Sequence, residues 1–425
     1  MRPTGYASVF FDYVPNREET VELRPRLFVE EKLTPSDHIR LTLSGFAEGL
    51  VSRRPRLEAN GATSRRRVTD AIVRVQDANL TLTWSRADIV VGLTRVIWGK
   101  LDEIQPTDVV NPLDVSRFFF EGRSEARLPV PLVRARTFVS GETAIEGVLV
   151  PTFRRGRFDQ LDEPTSPFNP AAPIYGLVAC QALGCPTLPP EIVDRQPGTA
   201  AGNLQGGVRL TSTLHRLDWG VVVYRGIEPF GLYELPALPA PAAVTGAASS
   251  PRSLTVDLTY PRFTMIGGDL ETTHGKWGVR SEIAAFVDDH FQSEDLRSVS
   301  GHSFDAGAGV DRRAGSYTFS GTVLFHSESY DAPLLRATRL ETSRQDLSFI
   351  VSADRTFARD KYRLRSFAVV NVPDEEAFLR AIAIAELRDN VAFEASAGWF
   401  AGRGPSLVGR FADSDFVYLR LKYYF

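Results

Sequence analysis

The sequence predicts an all-β fold: a transmembrane antiparallel up-and-down β-barrel of about eighteen strands, forming one outer-membrane domain over residues 1–425. Three observations predict it. Apolar and polar residues alternate along many segments, the segments are about ten residues long, and their connections alternate between short and long. We therefore expect short periplasmic turns, long extracellular loops and one loop folded into the pore.

The alternation has a period of two residues and is clearest in 39–44, 377–381 and 416–423. Successive side chains of a strand point to opposite faces, so each segment predicts one apolar face and one polar face. A soluble β-sandwich shows the same alternation. The length of the strands and the pattern of the connections decide between the two folds.

The connections imply an even number of strands, which puts both termini on the periplasmic side and every long loop outside. The short connections are 34–37, 85–87, 140–142, 216–217, 312–315 and 387–390. The long connections are 52–68, 100–131, 154–203, 227–252, 288–302 and 327–345.

The composition excludes two other classes of protein. The 49 basic and 52 acidic residues give a formal net charge of −3, without the basic excess of a nucleic-acid binder. The mean hydropathy is −0.13, and no segment approaches the roughly 18 apolar residues of a membrane-spanning helix. The chain begins at Met1 without the apolar segment of a signal peptide, so we expect a mature form with an added methionine.

Two cysteines, Cys180 and Cys185, lie in a proline-rich stretch of the predicted extracellular loop 154–203. A local disulfide suits an oxidising compartment, and free thiols are the alternative. A zinc site would need further ligands that the neighbouring sequence lacks. We expect no metal and no cofactor.

Aromatic residues mark the predicted strand ends. The last residue, Phe425, follows an alternating strand, and we expect this terminal aromatic to be read by the outer-membrane assembly machinery. Barrels are enriched in aromatic side chains at the two membrane interfaces, although any single tryptophan can instead pack in a core. The residues expected at the interfaces are Trp84, Trp98, Trp219, Trp277, Trp399 and Tyr423.

The charged face of each strand is expected to line the lumen, because arginine at the membrane midplane costs roughly 2–4 kcal/mol in barrels. Most of these charges are expected to pair across strands. Two doublets, Arg134 with Arg136 and Arg363 with Arg365, are candidates for a pore constriction. Like charges on one face repel unless something anionic lies between them.

The strand over 72–84 has an ambiguous register, because Arg74 and Trp84 share a face unless a bulge intervenes. Arg74 is therefore left unassigned. The other charges expected inside are Arg24, Arg26, Glu30, Arg40, Glu48, Glu146, Arg209, Asp257, Arg280, Glu282, Asp305, Arg380, Glu386, Glu394, Arg420 and Lys422.

The connection 100–131 carries more apolar residues than an exposed loop tolerates, so it is expected to pack against something. We expect it to fold into the barrel and narrow the pore, with Phe118, Phe119 and Phe120 supplying the apolar contact. Packing over the outer rim is the alternative.

Several segments resemble a widespread proteobacterial outer-membrane β-barrel family of unknown function. The similar segments are 98–100, 108–114, 128–131, 219–226 and 260–269. The family is loosely similar to long-chain fatty-acid transporters and alginate-export porins. The resemblance implies a barrel that passes a hydrophobic compound, and it assigns no site residues.

We expect an outer-membrane channel or transporter for a small hydrophobic or amphipathic molecule. The alternatives are an anion-selective or exopolysaccharide-export porin, favoured by the lumen arginines, and a structural barrel that docks a periplasmic or lipoprotein partner. No enzyme is expected, because the histidines lack HExxH spacing and no nucleophile-elbow sequence occurs. The expected partners are the lipid bilayer, lipopolysaccharide, the assembly machinery and the small-molecule substrate, but not nucleic acid.

Overall fold

The computed structural model describes residues 3–15, 20–57, 63–115, 123–157, 191–235, 255–336, 339–403, 408–412 and 414–425. Within these ranges, eighteen strands close into one antiparallel barrel, in which each strand pairs with its neighbours in chain order. The wall strands are β1 (Thr4–Val14), β2 (Thr20–Ser36), β3 (Ile39–Leu57), β4 (Thr63–Thr83), β5 (Ala87–Thr94), β6 (Val130–Phe138), β7 (Thr143–Val150), β9 (Gln205–Leu214), β10 (Leu217–Ile227), β13 (Arg262–His274), β14 (Trp277–Gln292), β15 (Ser298–Ala314), β16 (Tyr317–Arg336), β17 (Arg339–Phe357), β18 (Tyr362–Asn371), β19 (Glu376–Arg388), β20 (Val391–Ala401) and β21 (Phe416–Tyr424).

The barrel closes where its first and last strands meet. Strand β21 pairs antiparallel with β1, and Gly5 and Phe425 exchange two backbone hydrogen bonds of 3.1 Å. Both termini therefore lie at the end that carries the short turns. The predicted fold class and the strand count of eighteen are confirmed.

The outer surface is apolar at alternate residues. On β14, Val279 and Ile283 are about half exposed, whereas Glu282 and Ala284 are buried on the opposite face. The same alternation recurs on the other wall strands. A closed sheet has no unpaired edge, so this wall satisfies its backbone hydrogen bonds while presenting apolar side chains to lipid.

A bulge in β4 settles the ambiguous register. Ser44 pairs with Asp77 and Gly45 pairs with Val75, so one extra residue is inserted in β4. An extra residue moves the following side chains to the other face. Arg74 accordingly points inward, where it binds a loop carboxylate, while Trp84 is about half exposed.

Three of the predicted loops are largely strand. In the described parts of 52–68, 288–302 and 327–345, the paired strands continue well beyond the length needed to cross a membrane. Polar composition made these segments look like loops. Hydrogen bonding within each long hairpin keeps them extended.

The segments that connect β7 to β9 and β10 to β13 form a second sheet of three strands. It comprises β8 (Glu191–Asp194), β11 (Leu232–Glu234) and β12 (Thr255–Thr259). Asp257, which was expected on the lumen wall, belongs to this sheet and pairs with Arg195 at 3.1 Å. Apolar and polar residues alternate around Asp257 as they do in a wall strand, but this segment belongs to the small sheet outside the wall. Among the described residues, no helix is long and apolar enough to cross a membrane.

Candidate functional site

The connection between β5 and β6 reaches the far wall of the barrel. Leu101 packs in a buried cluster with Leu324 on β16 and Ile350 on β17. In the closed strand order, β17 lies nine strands from β5 in either direction, so it is diametrically opposite. The side chains that Leu101 meets are on the inward face, which places this part of the connection inside the barrel.

Glu282, on β14, anchors the connection to the inner wall. Its carboxylate accepts hydrogen bonds from the backbone N–H of Lys100 and from that of Leu101, the latter at 2.6 Å. It also accepts the hydroxyl of Thr107 at 3.1 Å. The residue is buried, and its outward neighbour Ile283 lies in the lipid-facing band. The anchor is therefore at membrane depth.

Ion pairs surround this anchor. Lys100 Nζ lies 2.9 Å from Glu271, and Asp102 lies 2.8 Å from Arg280. Glu103 forms a further ion pair with Arg365 on β18. Isolated surface pairs contribute little, but here three pairs act together with the buried Glu282. They fix the segment to the neighbouring strands β13 and β14 and to β18.

The motif 108–114 shapes the connection at its other end. The Asn111 side chain accepts a hydrogen bond from Val96 N–H at 2.7 Å and donates one to the Leu128 carbonyl at 2.9 Å. Asn111 therefore joins the start and the end of the connection. Two carboxylates of the motif also pair with arginines: Asp108 with Arg127 at 2.6 Å, and Asp114 with Arg74 at 3.0 Å.

These roles were missed from the sequence. Glu282 was expected inside the lumen, but its backbone partners are far away in the chain. The motif 108–114 was noticed only as a family resemblance. A polar side chain such as Asn111 inside an apolar connection indicates such a brace, because it can satisfy backbone groups that a buried loop leaves unpaired.

Trp98 was predicted at a membrane interface, and this prediction is wrong. Strand β5 ends at Thr94, so Trp98 belongs to the connection and points into the barrel. It is 1% exposed, its Nε1–H donates to Glu146 at 2.8 Å, and its ring meets Tyr224 edge-on. A tryptophan near a predicted strand end suits both a membrane interface and a buried site inside the barrel, so the sequence does not decide between them.

The connection covers an apolar part of the inner wall, which we call the covered half. Its inward side chains come from β6, β7, β10, β13 and β14, and they pack with residues of the connection into one buried cluster. Close-packed apolar residues leave no aqueous path. The members are Val96, Trp98, Val110, Val130, Leu132, Val148, Val150, Val222, Tyr224, Phe263, Met265 and Ala284.

The inner wall formed by β18–β21 and β1–β4, which we call the open half, also packs an apolar cluster around Phe378, Phe400 and Phe416. Beside this cluster it carries a second feature. There, each arginine of a row lies beside an aromatic ring, and we call this row the guanidinium–aromatic belt. Each guanidinium carbon lies between 4.8 and 5.8 Å from the centre of a neighbouring ring. In order around the wall, the belt comprises Arg380, Tyr418, Arg420, Phe10, Arg24, Arg26, Phe46 and Arg74.

Carboxylates accompany most cations of the belt. Arg26 lies 2.7 Å from Glu48, and Arg420 lies 4.0 Å from Glu394. Arg24 pairs with Glu22, as Arg74 does with Asp114. Pairing across strands, the simpler of the two expectations for lumen charges, thus describes Arg26 and Arg420, whereas Arg24 pairs within β2 and Arg74 pairs with the connection.

The arginine doublets lie on opposite walls, one on β6 and one on β18. Arg134 pairs with Asp88 at 2.9 Å, and Arg363 donates to Asp354 at 2.7 Å. Arg365 pairs with Glu103, and Arg136 lies over the ring of Phe138 at 5.0 Å. Carboxylates of the protein itself therefore accompany three of these four arginines.

Other predicted site residues fall outside the described part of the chain. Phe118, Phe119 and Phe120 are among them, as are Cys180 and Cys185. Among the described residues, no group of three or more His, Cys, Asp or Glu side chains is arranged to hold a metal ion.

The closed wall, the lipid-facing apolar band and the charged interior define a transmembrane β-barrel of the Gram-negative outer membrane. The fold is similar to that of OccK7 (OpdD) from Pseudomonas aeruginosa, with a TM-score of 0.49 and 10% identity over 100% of this chain and 97% of that chain. OccAB3 from Acinetobacter baumannii gives a TM-score of 0.48 and 9% identity, covering 100% and 98%. OmpF from Salmonella typhi, in complex with daunomycin, gives 0.45 and 8%, covering 100% and 97%.

No protein-family model and no curated protein matches the chain. At such low identities, the similarity to these barrels concerns the fold and not the substrate. The coarse resemblance seen in the sequence, to outer-membrane barrels, agrees with the structure. The narrower resemblance to fatty-acid transporters and alginate-export porins has no support from these comparisons.

Proposed function

We propose that the protein is an outer-membrane channel that passes a small amphipathic molecule along the open half of its lumen. Residues 1–425 act as one domain, with 100–131 as the constriction and 154–203 as an extracellular loop. The observation that carries the proposal is the contact of Leu101 with the wall opposite its own strand. A loop held there narrows the aqueous path to one side.

The surface left along that path suits an amphipathic solute. The rings of the belt are buried against the guanidinium groups, so this wall combines apolar packing with charge. A purely hydrophobic solute would gain nothing from these charges. A hydrophilic polysaccharide would gain little from the rings.

An anion-selective porin is the second candidate, because cations line the open half. The carboxylates paired with them reduce the net charge, so a strong selectivity is not expected. A barrel that only docks a periplasmic partner would have no use for a loop braced across its lumen.

The channel is tested by recording single-channel conductance in planar bilayers for the wild type and for Glu282→Ala. Removing this carboxylate leaves the N–H groups of Lys100 and Leu101 without their acceptor. Each buried group left unpaired costs about 1–3 kcal/mol, so the connection should detach from β14. We expect a larger and noisier conductance than that of the wild type.

A matched control is Glu30→Ala, which removes an inward carboxylate paired with Lys32 and not with the connection. Its conductance should stay near the wild-type level. A wild-type barrel that is folded but carries no current would contradict the channel. Equal conductance of Glu282→Ala and wild type would contradict the constriction alone.

A further inference from the structure

We propose that a patch of arginines and aromatic rings on the outer surface of the barrel binds the phosphate group of an anionic phospholipid in the periplasmic leaflet of the outer membrane. The patch lies on β14–β18, at the end that carries the short turns, and we call it the basic girdle. It involves no part of the lumen, so it is independent of the proposed channel function. Its members are Trp277, Arg312, Tyr317, Arg355, Phe357 and Tyr362.

The strand register places these side chains together on the outward face. Arg312 pairs with Trp277 across β14 and β15, and Arg355 pairs with Tyr317 across β16 and β17. Directly paired residues have their side chains on the same side of a sheet. The next outward residue of β14 after Trp277 is Val279, which is 47% exposed in the lipid-facing band. The basic girdle therefore lies between this band and the short turns, which are periplasmic in bacterial barrels.

The two arginines of the basic girdle contact rings. The guanidinium carbon of Arg312 lies 4.8 Å from the centre of the Trp277 ring. That of Arg355 lies 4.8 Å from the centre of the Tyr317 ring and 5.4 Å from that of Phe357. In the described part of the chain, neither guanidinium donates a hydrogen bond or pairs with a carboxylate. Both therefore keep N–H donors for phosphate oxygens, which a guanidinium can bind in pairs.

The carboxylates beside these arginines in the chain belong to the lumen. Asp311 pairs with Arg280 at 3.1 Å, and Asp354 accepts a hydrogen bond from Arg363 at 2.7 Å. Both carboxylates point inward because successive side chains of a strand lie on opposite faces. They are therefore on the other side of the wall from the basic girdle and already have partners there.

The turns and strand ends next to the basic girdle add positive charge. Asp360 is the acidic residue of the turn between β17 and β18, and Glu386 on β19 pairs with the buried Ala392 and faces the lumen. Basic residues at a membrane surface attract anionic lipid. Lys361 has its ammonium nitrogen 5.7 Å from the centre of the Tyr362 ring. The exposed cations at these positions are Lys276, Arg313, Arg359 and Lys361.

The wall strands from β3 to β10 lack such a patch. Their outward residues at the same end include Leu41, Leu82 and Ile89. Among the described residues of these strands, no lysine or arginine points outward at this end. Contact with lipid requires apolar side chains around the whole barrel, but it does not require cations on one side. Their accumulation on β14–β18 points to binding of an anionic lipid at this place.

The experiment is native mass spectrometry of the detergent-solubilised full chain with added dioleoylphosphatidylglycerol or, separately, dioleoylphosphatidylcholine, which has the same acyl chains. We expect the wild type to retain one phosphatidylglycerol at concentrations at which phosphatidylcholine is lost. Arg312→Gln and Arg355→Gln should each weaken this retention about fivefold, because each removes one basic residue from an anionic lipid.

Arg216→Gln is the matched control, since Arg216 is an exposed cation between β9 and β10, at the same end but outside the basic girdle. Its lipid retention should equal that of the wild type. Equal retention of the two lipids, or equal weakening by all three substitutions, would overturn the site. Stronger retention of lipid A than of phosphatidylglycerol would overturn the assignment to the periplasmic leaflet.

A second measurement locates the lipid without relying on the arginine variants. In vesicles, brominated phosphatidylglycerol should quench tryptophan fluorescence more than brominated phosphatidylcholine does, and most of this difference should disappear in Trp277→Phe. An unchanged difference would place the lipid elsewhere and contradict the proposal. Arg312→Gln should keep the wild-type conductance, so a failure of the lipid site is distinguishable from a failure of the channel.

Discussion

The covered half and the open half of the barrel share one architecture but differ on their inner faces. Both consist of antiparallel strands whose outward residues are apolar, as Val223 on β10 and Leu421 on β21 illustrate. Inside, the covered half presents Val222 and Met265, whereas the open half presents charged side chains such as Arg420. The membrane imposes the outer pattern everywhere. The inner pattern depends on whether the connection between β5 and β6 lies over the wall.

The two halves also contribute differently to stability. Met265 is fully buried, and truncating a side chain of this kind typically costs about 2–5 kcal/mol. A cation–π contact such as that of Arg26 with Phe46 contributes about 0.5–2 kcal/mol, and desolvation of the paired charges offsets part of their attraction. The covered half therefore contributes more to holding the constriction in place than the ion pairs of the open half do.

Deleting residues 108–120 should remove most of the difference in coverage between the covered half and the open half. The deletion takes away Asn111 and Asp114, and with them the brace that joins the ends of the connection. We expect at least about a twofold rise in single-channel conductance and weaker selectivity, because the narrowest part of the path disappears. The barrel should remain folded and heat-modifiable on gels. Unchanged conductance would mean that the connection does not limit the pore.

Cysteine labelling should separate the halves without altering the loop. In a Cys180→Ser/Cys185→Ser background, Met265→Cys reports on the covered half and Glu30→Cys on the lumen outside it. A charged methanethiosulfonate reagent should modify the Met265 variant about a hundredfold more slowly, because labelling requires local opening of the packed cluster. Similar rates would show that water reaches both halves.

The smallest effect is expected from the cysteines. We predict a disulfide between Cys180 and Cys185, because both lie close together in an exported chain. Mass spectrometry without reductant should find neither thiol alkylated. Reduction should barely change barrel stability, since the closed loop is short. Complete alkylation of the unreduced protein would contradict the bond.

Much of the wall could be predicted from local pattern, and little of the interior could. The period of two residues identified the inward positions of Arg26, Arg280 and Glu282 because each strand must separate lipid from lumen. The same reasoning misplaced Trp98, which lies just beyond the end of β5. It indicated the bulge in β4 only as an ambiguous register, because the pattern does not show which residue is inserted.

The sequence by itself determined a closed barrel of eighteen strands, because hydrogen-bond closure in lipid and alternating side chains allow few other solutions. Only the tertiary structure decided which carboxylate holds the connection and which half of the wall it covers. Lys100 and Glu282 are 182 residues apart in the chain and meet only because the barrel brings β14 into reach of a connection that starts at β5. Such contacts depend on three-dimensional closure, and no periodicity within a strand encodes them.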